Sequence, residues 1–390
     1  MGEGGRSNLL CVRSSTGKGT EVKIALIGTR GIPAQYGGFE TCAQELALSF
    51  VRKGHRVAVS CRRNLYPLRP SNWKGVSLFY PPAIPLSGIE TLSHTFFAMV
   101  WILFTSQDAV LIFNAANSPA ALFAKIFGKR VVVNVDGLEW KRAKWGYMAR
   151  TYYRVSTLLS CFLADAVVAD SRAIGDYYAR RGISSHFISY GARIGDSSPI
   201  KILEKFSLTE KRYFFMGSRL EPENNHLLAI RSFLKADIPG AVLAIAGGSA
   251  KNSFYRKQLR QYASERIFFL GPVYDPAEYR ALQEHAVAYM HGNEVGGTNP
   301  SLLQAMAAGS YIIALDVPFN REVLGDTGHY VVKEEKILAE EFQRAWNMPE
   351  EREQYGKRAR ERVSLLYCWE EVASSYEDLL TEGRSCNKSA

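Results

Sequence analysis

Short runs of apolar residues alternate along the chain with longer segments whose apolar positions recur at helical spacing. The runs at 22–27, 55–60, 76–79, 109–113, 130–135, 166–169 and 186–190 predict one series of strands. Those at 213–216, 241–246, 267–270, 286–290 and 311–315 predict a second. Helices are expected between them: from about 39 to 53, then 89–104, 119–127, 149–163 and 171–181 in the first series. The second series has one ending near 235, one after 248, and others at 276–285 and 300–308. A charged helical stretch over 335–380 closes the pattern. Strands that are apolar on both sides and separated by helices belong to parallel sheets covered on both faces. Periodicity lapses over 193–209, which contains Gly195-Asp-Ser-Ser-Pro199 and reads as a linker. The fold class is α/β, with two Rossmann-like, doubly wound parallel-sheet domains.

Composition narrows this picture. A chain of 390 residues with 47% hydrophobic content can bury two cores. Its most apolar run, residues 96–104, is far below the roughly 20 residues that cross a bilayer and predicts a buried helix. The six cysteines are scattered, with no C-x-x-C pair and no His/Cys cluster, so a reducing compartment and no bound metal are expected. Residues 1–20 have no apolar core resembling a signal peptide and read as a disordered extension. A cytoplasmic protein is expected. The formal net charge of +10 calls for an acidic partner, but the cations are spread over both series and form no nucleic-acid motif.

Two glycine-rich loops carry candidate chemistry. Gly28-Thr-Arg-Gly-Ile-Pro-Ala-Gln-Tyr-Gly-Gly38 follows the first strand, where α/β proteins hold phosphates. It lacks G-x-G-x-x-G spacing, and Cys61-Arg62-Arg63 stands where an acidic residue would read a ribose, which argues against NAD. The second loop, His291-Gly-Asn-Glu-Val-Gly-Gly-Thr-Asn-Pro300, opens a helix with Thr298 or Asn299 as N-cap, Pro300 at its first position and Gly309 at its end. Unpaired N–H groups at such a start attract an anion, although an ordinary capped junction has the same sequence. A third block, Asp136-Gly-Leu-Glu-Trp-Lys-Arg-Ala-Lys-Trp145, follows the strand at 130–135 and offers carboxylates beside aromatics and cations. The plainer reading is a turn capped by Asp136 with Glu139 in an ion pair.

With two similar domains whose glycine loops face a common cleft, the layout is that of the GT-B architecture. From residue 22 to 380 the chain resembles retaining GT-B glycosyltransferases of the large sugar-nucleotide family. It is most similar to a bacterial rhamnosyltransferase-like subgroup of capsule and O-antigen assembly. The resemblance is carried by residues 27–40, 135–145, Asp170-Ser-Arg-Ala-Ile174, Arg219-Leu-Glu-Pro-Glu-Asn-Asn225, Gly296-Gly-Thr-Asn-Pro-Ser301 and Asp316-Val-Pro-Phe-Asn-Arg-Glu-Val323. It implies an acceptor domain over 21–195, a nucleotide-sugar domain over 196–365, and a C-terminal helix returning to the first domain within 366–390.

The resemblance also implies a hexosyltransferase that needs no cofactor. The donor diphosphate would meet Arg219, Gly31, Gly37, Gly38, Gly296, Gly297, Thr298, Asn299 and Ser301. Asn224 stands where the wider family has a lysine, and Gly296 and Gln304 replace its two glutamates. Catalysis would involve Asp136, Arg219 and Glu139, and the acceptor would meet Glu40, Trp140, Lys141 and Arg142. The expected partners are dTDP-rhamnose or a UDP-sugar and a lipid-linked glycan, with no nucleic acid. Arg62, Arg63, Arg69, Lys74, Lys141, Arg142, Lys144 and Arg150, interleaved with aromatics, suggest docking to an anionic membrane on the inner face of the plasma membrane, the plainer reading being a solvated basic surface. Rival readings are a decayed sugar-nucleotide binding protein, a UDP-hexose transferase and a sugar-nucleotide epimerase.

Overall fold

The computed structural model describes residues 20–35, 37–86, 89–135, 137, 146–248 and 254–382. Asp136, Glu139, Trp140, Lys141 and Arg142 lie outside the described residues, as does most of the predicted N-terminal extension.

The first sheet has eight strands: β1 (Lys23–Ile27), β2 (Arg56–Ser60), β3 (Asn72–Trp73), β4 (Val76–Phe79), β5 (Ala109–Phe113), β6 (Arg130–Asn134), β7 (Ala166–Ala169) and β8 (His186–Phe187). Their order is β3-β4-β2-β1-β5-β6-β7-β8, parallel except for the antiparallel β3–β4 pair. The helices of this unit are α1 (Gly38–Arg52), α2 (Glu90–Leu103), α3 (Ala121–Ile126), α4 (Tyr147–Leu163) and α5 (Arg172–Ala179). Successive residues of β1 feed opposite cores. Ile24 and Leu26 join Leu46 and Phe50 of α1, whereas Ala25 and Ile27 join Ala98, Met99 and Ile102 of α2. That two-sided burial is why the strands read as continuous apolar runs.

The second sheet has six strands: β9 (Tyr213–Gly217), β10 (Val242–Ala246), β11 (Ile267–Gly271), β12 (Tyr289–His291), β13 (Ile312–Leu315) and β14 (His329–Val331). It is parallel, in the order β11-β10-β9-β12-β13-β14. Its helices are α6 (His226–Ala236), α7 (Phe254–Arg260), α8 (Pro276–Glu284), α9 (Pro300–Ala308), α10 (Pro318–Leu324), α11 (Glu335–Asn347) and α12 (Pro349–Leu366). A last helix, α13 (Trp369–Thr381), packs on α1 of the first unit. There the Glu377 carboxylate takes both Lys53 and His55, and Asn134 Nδ2 donates to the Tyr376 hydroxyl over 2.6 Å.

Some expectations change. The stretch 335–380 is three helices, broken by Pro349 and by the extended residues before Trp369. The helix expected to be buried is only half so. Ala98, Met99 and Ile102 of α2 are inside, but Phe96 and Trp101 face out and Phe104 beyond its end is 86% exposed. Its outer face has no covering element among the described residues, so apolar content overstated its burial.

Candidate active site

In doubly wound sheets a ligand crevice opens where strand order reverses. In the first unit this is between β1 and β5, in the second between β9 and β12. Both glycine loops arise there. The loop after β1 is braced from below: a side chain on Gly28 would collide with the Phe113 carbonyl at the end of β5. Gly31, at φ 118°, lies so close to Cys61 that a Cβ would come within 2.7 Å of its Sγ. Arg62 N donates to Arg30 O over 2.9 Å, Ala34 N to Gln44 Oε1 over 2.8 Å, and Arg30 N to Glu40 Oε1 over 3.0 Å. Glu40 is 7% exposed, and burial raises its pKa above the usual carboxylate range. It serves as a brace for the loop.

Gly37, at φ 92°, then releases the chain into α1, whose start has no side-chain cap. The opposite helix, α9, is capped. Asn299 Oδ1 accepts from Ser301 N over 3.0 Å and from Ser301 Oγ over 2.8 Å, and Tyr289 OH donates to Ser301 Oγ over 3.1 Å. The Ser301 amide is therefore taken by the cap, and an anion would meet the amides before it. The two helix starts approach closely: a Cβ on Gly38 would fall 2.7 Å from Pro300 Cγ. Gly137 also approaches the second unit, where a Cβ would sit 3.3 Å from Gly296 Cα. This brings Gly37, Gly38, Gly137, Gly296, Gly297 and Asn299 to one seam, with Gly31 further back against Cys61.

Two struts that sequence reasoning did not find hold the seam. The Thr298 hydroxyl, buried, donates to the Asp170 carbonyl, and Gly297 packs so tightly on the Asp170 carboxylate that no side chain would fit. From α10, both Glu322 oxygens accept from Arg172 N at 2.9 and 3.0 Å. Burial raises the Glu322 pKa, opposed by the Arg172 amide and charge. The motif at 170–174 was visible, but its role depends on a contact between domains.

Across the second switch point, Arg219 leaves β9 half-buried, with Nη1 3.6 Å from Glu221. Asn224 is 5% exposed and turns back, donating through Nδ2 to Arg219 O over 2.6 Å. Asn225, in a left-handed conformation, ties this turn to the facing loop through Gly292 O at 2.8 Å. Gln304 is the exposed position within α9. His291, at the end of β12, is fully buried with neither ring nitrogen hydrogen-bonded, and burial depresses its pKa to about 3, leaving it neutral. Among the described residues no group of three or more His, Cys, Asp or Glu could hold a metal ion.

Residues 200–362 match the family Glycosyl transferases group 1. Residues 98–193 match a Domain of unknown function (DUF1972). No curated protein matches the chain by sequence. Among solved structures it is similar to the sucrose-phosphate synthase of Thermosynechococcus elongatus, at 19% identity and a TM-score of 0.76, covering 94% of this chain and all (100%) of that one. It is also similar to Anabaena HepE in complex with UDP, at 16% identity and a TM-score of 0.73, covering 92% and 100%. A third is the α,α-trehalose-phosphate synthase (UDP-forming) from Burkholderia xenovorans, at 12% identity and a TM-score of 0.68, covering 92% and 100%. Residues 200–362 thus form a group 1 glycosyltransferase domain, and the two facing parallel-sheet units have the GT-B fold.

Proposed function

We propose that the protein transfers L-rhamnose, with retention of anomeric configuration, from a nucleoside diphosphate onto a lipid-linked glycan in bacterial surface polysaccharide synthesis. The observation that carries the donor class is the apposition of the uncapped α1 start and the 296–299 loop at Gly38 and Pro300, with the Arg219 guanidinium near the second switch point. A leaving diphosphate needs preorganised donors of this kind. Arg219 and the amides before Ser301 would receive it, with Gly31, Gly37 and Gly38 lining the facing side. Gln304, exposed on α9, is suited to a ribose hydroxyl. The acceptor hydroxyl would attack from the face the diphosphate leaves, passing its proton to the departing phosphate oxygen, with Asp136 orienting the sugar.

A UDP-hexose donor is the second reading, favoured by the fold shared with HepE, which was solved with UDP-glucose. Release of nucleoside diphosphate from dTDP-rhamnose and from UDP-glucose, with a lipid-linked acceptor extract, separates the two, and product anomer analysis tests retention. Arg219→Ala should lower turnover by about 10²–10³, the loss expected on removing one anion-stabilising donor. Undiminished turnover in that variant would remove Arg219 from the mechanism. No release from either donor would favour a binding protein without transfer activity.

A further inference from the structure

Helix α4 is amphipathic the wrong way round for a surface helix. Its buried positions are Ser156, Thr157 and Ser160, and the Thr157 hydroxyl has no hydrogen-bond partner among the described residues. Its outer face presents Tyr147, Met148, Val155, Leu158 and Phe162, with Met148 84% and Phe162 81% exposed. A helix normally buries such a stripe. The neighbouring helices extend the same surface, with Leu122, Phe123, Ile126 and Phe127 on and after α3 and Phe96, Trp101 and Phe104 on and after α2. Phe96 and Phe123 meet edge to face across the join, with ring centroids 5.9 Å apart. An apolar face of this extent marks an interaction site.

Charge identifies what covers it. Arg150 and Arg154 lie on α4 and Lys125 on α3, and neither helix contains an acidic residue. Among the described residues the carboxylates nearby are engaged: Glu90 accepts from Asn64 and faces Arg62, and Asp165 binds Lys125 and the Val131 amide. A second copy related by a twofold axis would set the Arg150 and Arg154 side chains of the two chains against each other, with no acid on either α4 between them. A lipid leaflet supplies both complements, acyl chains for the apolar stripe and phosphates for the cations. No described helix is long and apolar enough to cross a membrane, so contact would be in the plane of the surface. The basic cluster expected from sequence is partly spent elsewhere: Arg62 is buried on Thr91, Arg63 donates to the Tyr80 carbonyl, and Lys74 lies over Trp73.

We infer that the outer face of α2, α3 and α4 seats the protein on an anionic bilayer, with α4 lying flat and Met148, Leu158 and Phe162 entering the acyl boundary. This rests on the reading of a lipid-linked acceptor, because it sets the first domain against the leaflet that would carry one. The test is flotation of the full chain with vesicles of phosphatidylcholine alone or with about one-third phosphatidylglycerol, which hold neither donor nor acceptor. Wild type should float with the anionic vesicles. Leu158→Ser/Phe162→Ser should bind them about tenfold more weakly with an unchanged melting temperature, since both side chains are exposed. Arg150→Gln/Arg154→Gln should also lose about tenfold on anionic vesicles. Wild type remaining unbound, or both variants binding as wild type does, would overturn the assignment. So would a dimer in light scattering that Leu158→Ser/Phe162→Ser converts to monomer, which would mean a second copy covers the face. Nucleotide binding is unaffected by each of these results, so failure here leaves the donor reading to its own test.

Discussion

Asn224 occupies the place of a family lysine, and the fold gives it a different task. Its amide closes the 219–224 turn on the Arg219 carbonyl in a site almost without solvent. A lysine there would abandon that bond and bury an ammonium. Asn224→Lys should therefore cost about 1–3 kcal/mol in urea unfolding and give no tighter nucleotide binding. A lysine variant as stable as wild type that binds nucleotide more tightly would show that the position remains a cation site. Gln304 is the opposite case, since it is exposed on α9 and its side chain can reach a ligand without unfolding anything. Glycine positions were legible one by one, because turns and close backbone approach demand them. Thr298 and Glu322 were not legible as struts: each bonds a backbone group of the other domain, Asp170 O and Arg172 N, far away in sequence.

At the scale of elements, the buried strands were the most legible part of the chain, since apolar residues on both faces leave little ambiguity. The run at 109–113 became β5 and that at 166–169 became β7 without a change of boundary. β3 and β14 escaped notice because each is short, lies at a sheet edge and is only partly buried. α10 was missed because Asp316-Val-Pro-Phe-Asn-Arg-Glu322 has the composition of a loop, although Pro318 suits a first helical position. The start of α9 was read correctly in kind, with Pro300 at the first position, and of the two possible caps, Thr298 and Asn299, the structure uses Asn299. Asn299→Ala should cost about 1 kcal/mol, the usual worth of such a cap, measured by urea unfolding. Unchanged stability would mean that Tyr289 and Gln283 alone, through Ser301 Oγ and Ser301 O, hold the helix start.

For the whole molecule, the doubly wound alternation already implied two parallel sheets, but which loops would meet could not be read from periodicity. The seam depends on the strand orders β2-β1-β5 and β9-β12-β13, which set the 28–38 loop and the 292–299 loop at the two reversal points. α13, anchored through Glu377 and Tyr376, runs back over the first unit and joins its core to the end of the chain. The central claim is that this seam takes a nucleoside diphosphate sugar. It is tested most directly by thermal unfolding of wild type and Arg219→Ala with a panel of nucleotides and nucleotide sugars. A ligand at 100 times its dissociation constant adds about 2.7 kcal/mol to the folded state. Wild type should be stabilised by one nucleoside diphosphate and its sugar, and Arg219→Ala by less. No stabilisation by any member of the panel would contradict the claim.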